Sequence, residues 1–141
     1  MENTVSDRHQ KKSKLPVKIH HIAVICSDYE VSKRFYTEIL GLKILREVYR
    51  EERKSFKLDL GIGDDYVIEL FSFPNPPKRS SQPEARGLRH LAFSVENLAE
   101  KREELMQKGL KCEEIRTDEF TGKDFFFTRD PDELPVEFYE E

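Results

Sequence analysis

The chain repeats itself once, and any fold proposed for it must honour that repeat. His90 stands 69 residues after His21, Glu137 stands 68 after Glu69, and Gly109 stands 68 after Gly41. The neighbourhoods match as well. HIAVICSD opens at His21 and HLAFSVEN at His90, each reaching a short polar residue seven positions on, Asp28 or Asn97. Glu69 lies in VIELF and Glu137 in PVEFY, so each carboxylate interrupts an apolar strand-like run. Self-similarity of this kind predicts two modules built on one plan. The step in offset from 69 to 68 places a one-residue difference inside or beside the first helix. A chain of 141 residues has room for one compact domain, or for two small units sharing a core.

Hydrophobic periodicity supplies the plan of each module. Residues 17–26 alternate between two faces, Ile19, His21, Ala23 and Ile25 against His20, Ile22, Val24 and Cys26, which predicts a strand. Asp28 caps a helix carrying Val31, Phe35 and Ile39 and ended by Gly41. Strands are expected at Lys43–Tyr49, Lys54–Leu60 and Tyr66–Phe73, with a turn over residues 61–65. The second half repeats the order. Leu88–Val95 is a strand, Asn97 caps a helix bearing Leu98, Leu105 and Met106, and Gly109 closes it. Lys111–Arg116, Lys123–Arg129 and Leu134–Tyr139 are the remaining strands, with a turn at Asp130-Pro131-Asp132-Glu133. The reading is thus α+β, two tandem β-α-β-β-β modules over residues 17–73 and 88–139. Residues 74–87 hold four of the seven prolines and read as a linker.

Composition narrows the function classes. A net charge of -4, from 24 basic and 28 acidic residues, exerts no global pull toward nucleic acid or acidic membranes. The basic cluster Arg8 to Lys14 falls in residues 1–16, which read as a solvated, disordered tail. No apolar stretch approaches the roughly 20 residues that span a bilayer, and no secretory h-region is present, so a cytoplasmic protein is expected. Cys26 and Cys112 have no C-x-x-C spacing and read as reduced, partly buried strand thiols.

Taken singly, a strand histidine is more often a hydrogen-bonded core residue, and a strand glutamate more often a solvated or paired charge. The matched set of His21, Glu69, His90 and Glu137 points instead to a metal. Small neighbours, Ala23 beside His21 and Ala92 and Ser94 beside His90, leave room over the histidine face. A carboxylate within an apolar strand needs a partner such as a cation. Two imidazoles and two carboxylates suit zinc, nickel, cobalt, manganese or iron(II), whereas magnesium and calcium prefer oxygen donors throughout. His20 adjoins His21, but the seven-residue spacing to Asp28, mirrored by His90 to Asn97, selects His21.

These segments, HHIAVICSDYEVSKRFYTEILGLKI, YVIELFSFPNPP, GLRHLAFSVENL and RDPDELPVEFYE, resemble the vicinal oxygen chelate (glyoxalase/bleomycin resistance/dioxygenase) superfamily. Within it they are most similar to small bacterial glyoxalase I-like metalloproteins, and with their connections they cover residues 17–139. The resemblance implies two modules forming a U-shaped mixed sheet around one divalent transition metal. It also implies a homodimer, often with sites drawing ligands from both chains, and a small-molecule substrate with two vicinal oxygens. The implied reaction is a lyase or isomerase step of glyoxalase I (lactoylglutathione lyase) type on a 2-oxoaldehyde hemithioacetal. By the same resemblance Glu137 is the mobile ligand and general base, and Glu69 its counterpart.

Two positions depart from the glutathione-using members. Ile25 and Phe73 stand where those have an arginine and an asparagine that hold glutathione, and an apolar side chain cannot pair a carboxylate. Glutathione is therefore a poor fit, and the alternative partners for its carboxylates are Arg89, Arg116 and Arg129, each of which reads equally as a solvated strand or loop charge. Other members offer weaker matches. Extradiol dioxygenases use one carboxylate and about twice this length, methylmalonyl-CoA epimerases carry glutamine at the Glu69 position, and fosfomycin-type thiol transferases use three protein ligands. The non-catalytic alternatives are a ligand-binding, bleomycin resistance-type module, whose members tend to lose the ligands, and a metal-bearing regulatory domain. The turn also reads DPDE where many relatives have DPDG, which places Glu133 in left-handed backbone or forces a different turn.

Overall fold

A computed structural model describes residues 14–141, so most of the expected tail, residues 1–16, lies outside the described residues. The first module runs β1 (Ile22–Cys26), α1 (Tyr29–Arg34), β2 (Lys43–Arg50), β3 (Ser55–Ile62) and β4 (Asp65–Ser72). The second runs β5 (Leu91–Val95), α2 (Leu98–Gln107), β6 (Arg116–Thr117), β7 (Asp124–Arg129) and β8 (Pro135–Glu140). Each module forms a four-stranded mixed sheet, ordered β1-β4-β3-β2 and β5-β8-β7-β6. The first strand of each lies parallel to the last, and the other pairings are antiparallel. The α+β fold with tandem modules is therefore the one expected. Residues 74–87 contain no helix or strand.

The one-residue mismatch between the repeats has a physical location. After Arg34 the first helix widens into a π-helical turn, Phe35–Ile39, in which the Leu40 N–H donates to Phe35 O at 2.9 Å. A π-turn accommodates one extra residue without ending a helix. The second module has no such turn. Both helices carry side-chain N-caps: Asp28 accepts from the Val31 N–H, and Asn97 accepts from the Glu100 N–H.

The helices cover one face of each sheet. Leu58, Leu60, Ile68 and Leu70 pack with Phe35 and Tyr36 in the first module, and Phe126, Val136 and Phe138 with Leu98 and Leu105 in the second. The faces predicted for the helices need correction. Val31 is half-exposed while Tyr29 and Ser32 are buried, since the inward stripe runs through Tyr29, Ser32 and Phe35–Tyr36 at helical spacing and Val31 falls beside it. Met106 is likewise exposed.

The expected strand Lys111–Arg116 shrinks to Arg116–Thr117. Arg102 explains the loss: its guanidinium donates to the carbonyls of Glu113 at 2.8 Å and Cys112 at 3.3 Å, acceptors a ladder would need. Cys112 consequently lies outside any strand. Both cysteines are free; Cys26 is buried, and burial pushes its thiol up to about 11. Among the described residues no helix is long and apolar enough to cross a membrane.

The modules are joined by the turn before β8. The Tyr36 hydroxyl donates to Asp130 at 2.7 Å in the buried interior, and Ser27 donates to Asp132 through its backbone N–H at 3.0 Å and its hydroxyl at 2.5 Å. Asp130 also accepts from the backbone of Asp132 and Leu134. Leu91 and Leu134 complete the first module's core, so the halves share apolar packing. Glu133 does adopt left-handed backbone, with φ +68°.

Candidate metal centre

The faces away from the helices carry the four candidate ligands. Both histidines precede the strands predicted to contain them, since β1 begins at Ile22 and β5 at Leu91. Both ladders start one residue past the histidine, at Ile22–Ile68 and Leu91–Val136. Each histidine thus sits at a strand mouth beside its glutamate. Parallel pairing sets Ala23 against Glu69 and Ala92 against Glu137, which places both carboxylates next to a small side chain.

Two His–Glu pairs result. His21 Nε2 is 3.6 Å from Glu69 Oε1, and His90 Nε2 is 3.3 Å from Glu137 Oε1. Both carboxylates are largely withdrawn from water, at 14 % side-chain exposure, and the imidazoles are more open at 35 % and 26 %. Two donors on one zinc ion, each at about 2.0–2.2 Å, lie about 3–3.5 Å apart, so each pair has close to chelating separation. Within one chain the pairs remain apart: among the described residues no cluster of three or more His, Cys, Asp or Glu side chains could hold a metal. Each pair alone is half of the four-ligand set expected.

The surroundings of the half-sites differ. Tyr66 stacks on His21 with ring centroids 4.7 Å apart and donates its hydroxyl to Asp59 at 2.9 Å. Lys57 reaches Asp59 at 2.6 Å and Glu69 at 3.1 Å. Burial alone would lower the Lys57 ammonium, but its bonds to Asp59 and Glu69 prevail and hold it above the ordinary lysine value. Burial, then the bond to Asp59, raises the Tyr66 phenol. At the same level of the second module stand Phe125 and Phe127, the latter edge-on to His90 at 5.1 Å. His20, excluded by spacing, is exposed and bonds His21 Nδ1 at 2.8 Å through its own Nδ1.

Lys57, Asp59 and Tyr66 lie outside the His–Glu repeat, although alternation carries a signal for two of them. Lys57 and Asp59 interrupt β3 on the face opposite Leu58 and Leu60, and register sets Asp59 directly against Glu69.

A model of the Glyoxalase/Bleomycin resistance protein/Dioxygenase superfamily matches residues 18–138. The chain belongs to that superfamily. It is 60% identical over 123 residues to Uncharacterized protein YwkD of Bacillus subtilis, covering 87% of this chain and 96% of that one. It is 56% identical over 123 residues to Uncharacterized protein YaeR of Escherichia coli, covering 87% and 95%. Among solved structures, the glyoxalase family protein from Enterococcus faecalis matches with TM-score 0.81 and 46% identity, over 87% of this chain and 97% of that chain. The Enterococcus faecalis structure shares the fold nearly end to end.

Proposed function

We propose that the protein is a metal-dependent lyase or isomerase of glyoxalase I type, acting on a small substrate with vicinal oxygens such as a 2-oxoaldehyde hemithioacetal. One observation carries the reading: two equivalent His–Glu pairs, each at near-chelating separation, stand on uncovered sheet faces of a glyoxalase-superfamily chain. His21 and Glu69 of one chain, with His90 and Glu137 of a second, would hold one divalent transition ion: zinc, nickel, cobalt, manganese or iron(II). The separation of the pairs within a chain favours a homodimer with two such sites.

The ion, when bound, polarises a substrate carbonyl as a Lewis acid. The residues divide the remaining work. Glu69 is held by Lys57, whereas the neighbours of Glu137 are His90 and aromatic rings, which supports Glu137 as the carboxylate that moves a proton between adjacent substrate carbons. Phe125 and Phe127 limit water around it. Ile25 and Phe73 offer nothing to a glutathione carboxylate, so the thiol is taken to be a different one.

Metal analysis of protein purified without added metal tests the first half of this reading. About one transition ion per chain is expected. Turnover of methylglyoxal with glutathione, with other thiols and with none tests the second. Metal-free protein that turns over or binds substrate unchanged contradicts the proposal, and strong glutathione saturation contradicts the reading of Ile25 and Phe73.

A further inference from the structure

Beyond Glu69 the uncovered side of β4 continues through Phe71 toward Phe73, and two guanidinium groups lie on those rings. Arg50 Cζ is 4.8 Å from the Phe71 centroid and 5.7 Å from that of Phe73, and Arg53 Cζ is 5.3 Å from Phe73. Phe71 and Phe73 stack on each other at 5.6 Å, forming a platform. Arg50 Nη2 donates to Ser55 Oγ at 2.9 Å, which fixes the guanidinium in place. Its Nε is buried and has no hydrogen-bond partner among the described residues. Neither Arg50 nor Arg53 forms an ion pair with a carboxylate of those residues, a state they share with Arg46, Arg79 and Arg86, but only these two lie on the Phe71–Phe73 platform.

A guanidinium held in place on an aromatic platform, with no carboxylate partner and Nη1 left without a protein acceptor among the described residues, can donate to an oxygen of a bound carboxylate or phosphate. We infer that Arg50, assisted by Arg53, forms an anion subsite receiving the carboxylate or phosphate of the substrate processed at Glu69. The inference rests on the metal-centre reading and adds to it a substrate class. Phe71 lies two residues from Glu69 along one strand, a step of about 7 Å, so the subsite suits a short anionic molecule whose reacting oxygens lie at the other end. Phe73, unable to pair an anion itself, acts by holding the two cations that can.

The test follows the arginine Nε–Hε resonances of the full-length protein by ¹H–¹⁵N NMR. Inorganic phosphate and succinate are titrated separately, with assignment from Arg50→Lys. The inference expects a saturable shift of the Arg50 resonance with one probe, and which probe succeeds distinguishes phosphate from carboxylate. Read at the Arg53 resonance on the same platform, it further expects at least tenfold weaker binding in Arg50→Lys, loss in Arg50→Gln, and no change in Arg34→Gln. No shift with either probe, or wild-type affinity in Arg50→Gln, overturns it. Calorimetric metal titration of the same proteins separates the two readings. Metal binding retained in Arg50→Gln with anion binding lost supports the subsite, whereas wild type that binds the anion but no metal breaks its link to a metal centre.

Discussion

Lys57 places its ammonium 3.1 Å from Glu69 and 2.6 Å from Asp59, so two largely buried carboxylates share one cation on the uncovered face of the first sheet. A lysine thus supplies Glu69 with the cationic partner that a carboxylate in an apolar strand needs. Removing it isolates two negative groups.

Lys57→Met should therefore destabilise metal-free protein by about 3 kcal/mol. Added divalent metal should restore part of the loss, because it supplies Glu69 with a new cation. Thermal unfolding of wild type and variant, with and without nickel or zinc, checks this. An equal loss under both conditions contradicts it.

Tyr36→Phe should cost about 1–3 kcal/mol by withdrawing a donor from buried Asp130. The cost should depend on pH. Burial raises Asp130 above the ordinary carboxylate range, while bonds from Tyr36, Leu134 and Asp132 partly offset that rise. A raised native pKa means the protonated group favours the fold below the unfolded value, an advantage lost as pH rises through the native value. Without Tyr36 the native value climbs further. The variant should be closest to wild type in acid and furthest from it at neutral and alkaline pH, as read from denaturant melts across the Asp130 titration.

Glu133→Gly should stabilise the protein by about 0.5–1 kcal/mol. Glu133 sits at φ +68°, where a side chain is strained and glycine is not. Its 2.8 Å pair with Arg129 is solvent-exposed and adds little. A lower melting temperature would show that the turn depends on that pair.

Glu137→Gln should reduce turnover by about 10²–10⁴-fold if the carboxylate moves the proton. Glu69→Gln should chiefly weaken metal binding, since Lys57 already restrains that side chain. Equal effects of both substitutions on rate and affinity would deny the two glutamates separate roles.

Much of the architecture was legible because it is written in periodicity. Alternation located the two modules, and Asp28 and Asn97 marked both helix starts. The failures occurred where side chains competed with the backbone or where the buried helix stripe was not the aliphatic one. Arg102 captured the carbonyls that would have extended β6, and Tyr29 and Ser32 took the inward face that Val31 was expected to hold. At the candidate site, the repeat picked out both His–Glu pairs. It could not reveal Lys57, Tyr66 or Arg50, because these have no counterparts in the second module and matter through register and stacking alone.

The central claim is that four ligands meet between two chains, and mixed subunits test it most directly. Differently tagged His21→Ala and Glu137→Ala chains are co-refolded with metal, and the heterodimer is isolated. Each homodimer should bind none. If sites form between chains, the heterodimer combines both lesions in one site and leaves the other intact, so it should hold one ion per dimer. If each site formed within a single chain, every chain would carry a lesion, and a metal-free heterodimer would contradict the account.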